Sequence, residues 1–460
     1  MATSQILPTW ETVFLVFHLI ALIWYCAFWC VGLLGWATVR KTYTRRPHSP
    51  LSYSHPQSVP GVSIIRPLKG LDPNLYENLE SSLNQDYPNF EVIFSVQDEN
   101  DQALQVVYEL VTKYPDVPVQ IIRGDEVVGM NPKINNLVKP FRQAKNDILW
   151  VLDSNVWIEG GALARSVETL TQPFPESNSP DRPRVGLVHH VPFAKIYASQ
   201  HTIGSRIEEA FLNTNHAKMY VAINRIAIAS CVVGKSNMYR RSDINKLTGL
   251  PSARNRYKAC PTGSNGDPED PTHSPDTVTG LAAFGGFLAE DNMIAEGIMN
   301  ELGLVHSTSC DIAVNAIGSM SFMDYVERRI RWIRVRKHMV LLATLLEPLT
   351  ECLALCCVGA WGLGAFFNFS LSLFFLAHIG LWLTVDLGVY SVLAASPLQM
   401  ATLWPFIGAW VLREIVALPI WLIAVLGSDV VWRGELYTVT LDGRMQRNEL
   451  KSARTRRLPL

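Results

Sequence analysis

Apolar residues are concentrated at the two ends of the chain, whereas the middle alternates between apolar and polar positions. Thr12–Thr38 contains no charged residue and is long enough to cross a bilayer, so it predicts an uncleaved transmembrane signal anchor over 12–38. Three further apolar runs follow the middle section, at about Val340–Phe367, Leu371–Ala395 and Thr402–Leu426. The pattern predicts an integral membrane protein with a polar domain between two membrane regions.

The middle section alternates between short apolar runs typical of strands and longer amphipathic runs typical of helices. This alternation favours an α/β domain with a mostly parallel, Rossmann-like sheet over 61–337. The predicted strands are Val62–Arg66, Phe90–Val96, Val119–Ile122, Ile148–Leu152, Val185–Val191 and Arg225–Val233, with helices at Asn74–Gln85, Gln102–Tyr114, Ile134–Gln143 and Ser199–Asn213. The polar stretch 252–280 has no apolar periodicity and predicts a disordered insertion.

Basic residues predict the orientation. Arg40 and Lys41 follow the first apolar run, and an interfacial basic helix is expected over 321–337, so both ends of the polar domain should face the cytosol. The tail 427–460 is also basic, whereas three full crossings within 340–426 would place it outside. We therefore expect two full spans there, and a broken, re-entrant or interfacial segment at Thr402–Leu426, which carries Arg413-Glu414.

Polar side chains follow the predicted strands at their carboxyl ends, where α/β sheets bind ligands. Asp98 and Asp153 stand at two such ends, although an Asp in this position is as often a helix cap. Lys133 lies in Asn131–Leu137 at a helix start, which suits an anion or a base edge but is also typical of a simple helix start. No GxGxxG or GxxxxGK[ST] loop follows the first strand, which excludes both phosphate-binding fingerprints there.

A second group of candidates lies before the C-terminal membrane region. Asp291 begins a helix after a glycine pair and is either a cap or a general base. The basic helix carries Arg328, Arg331 and Trp332, which suit a membrane surface, an anion or both. His216 lies near a helix end and is more typical of a surface residue than of a ligand. The eight cysteines have no CxxC spacing, which disfavours a structural zinc site.

Four ordered motifs resemble inverting glycosyltransferases of the GT-A fold, and more closely the ceramide glucosyltransferase family. The motifs are Val96-Gln97-Asp98, the WxxDS pattern Trp150–Ser154, Ala289-Glu290-Asp291 and the RxxRW pattern Arg328–Trp332. The resemblance runs from the anchor through the tail and leaves out 252–280. A full DxD pair is absent, because Ser154-Asn155 follow Asp153.

The resemblance implies a transfer of glucose from UDP-glucose to the primary hydroxyl of ceramide with inversion. It implies that Asp98 contacts the uracil and ribose, that Asp153 helps to bind Mg²⁺ or Mn²⁺ at the diphosphate, and that Asp291 is the base. Lys133, Arg328 and His216 are expected on the donor side, and Arg331 and Trp332 at the leaving diphosphate and the acceptor entrance. The implied partners are UDP-glucose, ceramide and the Golgi or endoplasmic reticulum bilayer, with no nucleic acid.

Other readings of the same residues stay open. A related enzyme would use another nucleotide sugar, or another lipid such as a sterol, diacylglycerol or polyprenyl phosphate. A transporter or a non-catalytic membrane scaffold is disfavoured, because a soluble-type domain with the candidate set Asp98, Asp153, Asp291 and Arg331 fills most of the chain.

Overall fold

The computed structural model describes residues 10–171, 183–197, 200–226, 230–249, 278–432, 435–440 and 443–447. The predicted insertion therefore lies outside the described residues, except for its last three positions. The end of the basic tail, from residue 448, also lies outside them.

Eight strands form the main sheet within the described residues, in the order β3-β2-β1-β4-β7-β6-β8-β5. The pairs β3/β2, β2/β1, β1/β4 and β6/β8 are parallel, and the other three are antiparallel. The strands are β1 (Val62–Leu68), β2 (Phe90–Val96), β3 (Val119–Arg123), β4 (Ile148–Leu152), β5 (Val156–Trp157), β6 (Val185–Ile196), β7 (Ser236–Arg240) and β8 (Val305–Ile317). The predicted α/β class with a mostly parallel sheet is confirmed.

Helices cover both faces of this sheet and form the membrane region. In the polar domain they are α2 (Leu75–Leu83), α3 (Ala103–Lys113), α4 (Pro132–Gln143), α5 (Ala162–Thr171), α6 (Ile203–Phe211), α7 (Ala217–Ile226), α8 (Arg241–Ile244), α9 (Glu290–Asn300) and α10 (Phe322–Met339), preceded by α1 (Trp10–Tyr43). The C-terminal membrane region contains α11 (Leu341–Leu346), α12 (Cys352–Gly364), α13 (Leu371–Leu393) and α14 (Met400–Leu426). A π-helical turn, Leu212–His216, joins α6 to α7.

The core forms on both faces of the parallel strands because successive side chains of a strand point in opposite directions. Ile64 packs with Leu79 and Val107 on the face that α2 and α3 cover. Its neighbour Ile65 packs with Leu137 on the opposite face, under α4. Strands buried on both faces carry mostly apolar residues, which is why the sequence pattern located them.

One predicted strand is wrong. Arg225–Val233 alternates β-branched residues, but α7 extends to Ile226, and 230–233 lie outside any strand. The strand that pairs with β4 begins later, at Ser236. Tertiary packing outweighs local strand propensity here, since α7 buries Tyr220 and Val221 against α1 and β6.

Within the described part of the chain, three helices, α1, α13 and α14, are long and apolar enough to cross a membrane. The break in the C-terminal region lies earlier than Thr402–Leu426. The helical segments 341–350 and 352–364 meet at a 77° bend between Thr350 and Cys352, whereas α14 is continuous. Helix α14 tolerates Arg413-Glu414 because Arg413 is 1 % exposed and pairs with both Glu414 and Glu351.

The chain returns to the polar domain after the last membrane helix. A small sheet of β9 (Asp429–Trp432), β10 (Glu435–Val439) and β11 (Met445–Arg447) packs on α10 through Val335, Val430 and Val439. Met445 N donates to Gly286 O at 2.9 Å. The segments on both sides of the membrane region therefore contact the polar domain.

Candidate active site

Five charged side chains converge where β1, β4 and β7 meet the start of α4 and α9. They are Lys133, Asp153, Lys235, Glu290 and Asp291. Asp153 directly follows β4 at its carboxyl end, the position where α/β sheets bind ligands. The structure thus brings together three residues that the sequence singled out, Lys133, Asp153 and Asp291, and adds two to them.

Asn131 joins the two helices that carry these side chains. Its Oδ1 accepts from Lys133 N at 2.8 Å and caps α4, which starts with Pro132 at the position where a missing N–H costs least. Its Nδ2 donates to Glu290 Oε2 at 2.9 Å and to Phe287 O at 2.8 Å. One amide therefore sets the spacing between the first turns of α4 and α9.

Lys133 lies at the centre of the cluster. Its Nζ contacts Asp153 Oδ1 at 2.9 Å and Glu290 Oε1 at 3.1 Å, and it donates to Gly234 O at 2.8 Å. Burial disfavours the ammonium, but the charges of Asp153 and Glu290 outweigh burial and raise the pKa of Lys133. The lysine is therefore a fixed cation at neutral pH.

Asp153 is held between two lysines. Lys235 Nζ lies 2.9 Å from Asp153 Oδ2, while Lys133 takes the other oxygen. Burial alone would raise the pKa of Asp153, but the two lysines lower it to about 2. Arg66, buried beneath the sheet edge, donates to Asp153 O at 2.6 Å and fixes the turn.

The pKa of Asp291 is shifted in the opposite direction to that of Asp153. Burial raises its pKa most, the charge of Glu290 raises it further, and Lys133 opposes both, which leaves the pKa at about 7. The carboxyl group faces Gly234, where a Cβ would lie 3.1 Å from Asp291 Oδ2. A buried carboxylate that binds protons near neutral pH is suited to general-base chemistry.

Replacing Glu290 should shift the pH dependence of activity. Asp291 accepts a proton only when ionised, so activity rises with pH through its pKa. Because Glu290 raises that pKa, Glu290→Gln should move the acid limb of kcat/KM to lower pH by about one unit. The pH profile measures this against Glu301→Gln, a change at the other end of α9. An unmoved acid limb would contradict the role of Asp291 as the titrating base.

Asp98 lies apart from these contacts. It follows β2 and is exposed, and its Oδ1 accepts from Asn100 N at 2.9 Å in a side-chain turn. The preceding Gln97 reaches toward the cluster, since its Nε2 donates to Asp125 Oδ2 at 2.6 Å and to Pro132 O at 3.4 Å. The contact of Asp98 with the donor stays a prediction.

The basic helix residues lie against α6 and the π-helical turn. Arg328 Nε donates to Glu208 Oε1 at 2.7 Å. Burial and the neighbouring Arg328 lower the pKa of Arg331, against the charges of Glu208 and Glu327. Arg328 therefore pairs with a carboxylate outside the cluster around Asp291. The roles of Arg328 and Arg331 at the diphosphate stay predictions.

Trp332 and His216 lie close together. Their ring centroids are 6.2 Å apart, and His216 stacks on Tyr220 at 5.8 Å. Burial lowers the pKa of His216 to about 3, with Arg329 and Arg336 adding to the effect, so the imidazole is neutral at pH 7. These contacts form an aromatic wall next to the membrane region, and the donor contact of His216 stays a prediction.

Sequence reasoning did not assign Lys235 or Glu290 to the site. Lys235 reaches Asp153 because Leu152 pairs with Ser236, and Asp153 N donates to Lys235 O at 3.1 Å. The incorrect strand at Arg225–Val233 concealed that pairing. The adjacent acid in Glu290-Asp291 was a signal, since a neighbouring carboxylate raises the pKa of a base.

Metal binding rests on one carboxylate. Across the described ranges, no group of three or more His, Cys, Asp or Glu side chains could hold a metal ion. Asp153 still fits a divalent cation, because Mg²⁺ is commonly held by one or two carboxylates together with substrate phosphates and water. One of the two lysines would then give up its contact with an Asp153 oxygen, and that oxygen would bind the ion.

Comparison with known proteins identifies the family. The model of glycosyl transferase family 21 matches residues 16–255 and 274–445. The chain is 36 % identical to the ceramide glucosyltransferase of Komagataella phaffii, over 92 % of this chain and 90 % of that protein. It is 31 % identical to the ceramide glucosyltransferase of Candida albicans, over 92 % of this chain and 96 % of the relative.

One solved structure matches nearly as much of the chain as these relatives do. The mannosyltransferase PcManGT from Pyrobaculum calidifontis, in complex with GDP-Man and Mn²⁺, is 16 % identical with a TM-score of 0.43, over 87 % of this chain and 99 % of that chain. That likeness is too low to support the assignment, which rests on the family match and on the sheet itself. The expected GT-A class and the resemblance are confirmed: the chain is a membrane-associated glycosyltransferase that belongs to glycosyl transferase family 21.

Proposed function

We propose that the protein transfers glucose from UDP-glucose to the primary hydroxyl of ceramide and inverts the anomeric centre. The observation that carries the proposal is Asp291, a buried carboxyl whose pKa is raised to about 7, next to a lysine-rich cluster. The names of the family relatives support ceramide as the acceptor and glucose as the sugar.

Asp291 acts as the base. It takes the proton of the primary hydroxyl while the hydroxyl oxygen bonds to the anomeric carbon. The bond from that carbon to the diphosphate breaks, and UDP leaves with the electron pair. Attack from the face opposite the diphosphate gives the β-glucoside. A positioned base typically contributes about 10²–10⁴-fold to such a step.

Lys133 and Lys235 bind the donor diphosphate. Two fixed ammonium groups near the leaving phosphate stabilise the charge that develops as the sugar departs. Asp153 would hold a divalent ion, which would supply further positive charge to the phosphates. Asp98 contacts the uracil and ribose from the end of β2, and Arg328, Arg331 and Trp332 complete the donor and acceptor sides.

The membrane places a water-insoluble acceptor beside this site. Basic residues lie in the last turn of α1 and fill α10, which favours a polar domain on the cytosolic face of a Golgi or endoplasmic reticulum membrane. With the β9–β11 sheet docked on that domain, α13 and α14 cross, while the bent α11–α12 pair enters and returns.

Radiolabel transfer tests the proposal. Membranes containing the full chain are given UDP-glucose, UDP-galactose or UDP-N-acetylglucosamine with ceramide, a sterol or diacylglycerol. We expect labelled product only with UDP-glucose and ceramide, and none with Asp291→Asn. A product with another sugar or lipid would replace the proposed substrate, and full activity of Asp291→Asn would refute the mechanism.

A further inference from the structure

A buried ion pair joins the polar domain to the membrane helices. Lys218, in the first turn of α7, lies 2.7 Å through its Nζ from Asp386 Oδ1 in the middle of α13, and both side chains are 0 % exposed. Trp410 Nε1 of α14 donates to the other Asp386 oxygen at 2.8 Å. The Lys218 ammonium also lies 3.9 Å from the ring centroid of Trp382. Charged side chains buried among apolar membrane helices are energetically costly, and they commonly have a function.

Helix α1 closes the fourth side of this pair. A Cβ at Gly35 would overlap the Lys218 carbonyl oxygen, and one at Gly32 would touch the Lys218 methylene groups. Small residues at these two positions let α1 approach the α7 backbone closely. Lys218 is thus enclosed by α1, α13 and α14, and its only charged partner among these described contacts is Asp386.

A second set of polar contacts holds the residues just before Lys218 against the membrane helices. Asn215 Nδ2 donates to Glu351 Oε2 at 2.9 Å, just before α12. Arg413 of α14 donates to that carboxylate at 2.9 Å. The membrane helices therefore hold both Asn215 and Lys218, at the two ends of the step from the π-helical turn into α7. Such turns are frequent at functional sites.

The Asn215–Tyr220 segment connects the membrane helices to the helix that carries the base. Tyr220, two residues after Lys218, contacts His189 and packs with Cys231 and Val233. Val232 N donates to Asn292 Oδ1, next to Asp291, at 3.4 Å. The two lysines that hold Asp153 are assigned above to the donor diphosphate. A lipid that arrives from the membrane would reach the base past this segment.

We propose that Lys218 and Asp386 are positioning residues that hold the Asn215–Tyr220 segment as the wall of the acceptor site. The proposal rests on the transfer to a lipid acceptor described above. Loss of the pair should displace this wall, which weakens use of the lipid and leaves binding of the donor unchanged. Displacements of about 1 Å away from the reacting atoms can lower rates about 10²-fold.

The test separates positioning from simple stability. Asp386→Asn leaves a buried unpaired ammonium and should lower both the melting temperature and the activity. The double variant Lys218→Met/Asp386→Leu removes both charges, and apolar replacement of a buried pair commonly preserves stability. We expect it to melt closer to the wild type than Asp386→Asn does, although Trp410 loses its acceptor, to keep its KM for UDP-glucose and to lose about 10- to 100-fold in kcat/KM for ceramide.

The matched control is Arg165→Met/Asp311→Leu, which removes a buried pair of 2.7 Å within the polar domain. It should leave the KM for ceramide unchanged. Wild-type use of ceramide by Lys218→Met/Asp386→Leu, or a parallel rise of the donor KM, would overturn the proposal. If the wild type glycosylates a different lipid, the proposed substrate fails, and the same ratios are measured with that lipid.

Discussion

Asp291→Asn should lower kcat by about 10²–10⁴-fold, with little change in the KM for UDP-glucose. The amide matches the carboxylate in size but cannot take the hydroxyl proton. Asp291 is the acid of the cluster whose pKa is raised to about 7, whereas the pKa of Asp153 is lowered to about 2. Single-turnover transfer to ceramide measures the chemical step, and donor protection against thermal unfolding measures binding.

Glu296→Gln is the matched control for this variant, since it changes a carboxylate on the same helix α9. It should keep wild-type kcat. A loss confined to donor binding in Asp291→Asn would instead assign Asp291 to the donor side and leave the base unidentified.

Lys133→Met should lower kcat/KM for UDP-glucose by about 10²–10³-fold. The ammonium contacts Asp153, Glu290 and Gly234, so its removal takes a cation from the diphosphate site and leaves two carboxylates less neutralised. The lysine also lowers the pKa of Asp291. The acid limb of the pH profile should therefore move to higher pH, opposite to the shift expected for Glu290→Gln.

Two comparisons make the Lys133 result decisive. Lys139→Met changes a lysine later in α4 and should leave both the rate and the pH profile unchanged. Lys235→Met should weaken the donor interaction with a smaller pH shift, since Lys235 pairs with Asp153, whereas Lys133 lowers the pKa of Asp291. An unshifted profile for Lys133→Met would show that the lysine does not control the base.

The sequence predicted the parallel half of the sheet because β1, β2 and β4 are buried on both faces and carry mostly apolar residues. It missed the 13-residue strand β8 and placed a strand across the end of α7. Those segments owe their conformation to distant partners: β8 pairs with β6 over ten positions, and α7 packs on α1. Local propensity is weakest where such partners decide the outcome.

By itself, the sequence determined that this is a membrane protein with an α/β glycosyltransferase domain, because apolar runs, strand spacing and ordered motifs are local properties. It also singled out Lys133, Asp153 and Asp291. Only the tertiary structure decided that Lys235 and Glu290 join them, that the two aspartates have opposite pKa shifts, and that Asp386 pairs with Lys218. These facts depend on distances and burial between segments remote in sequence, which no local pattern encodes.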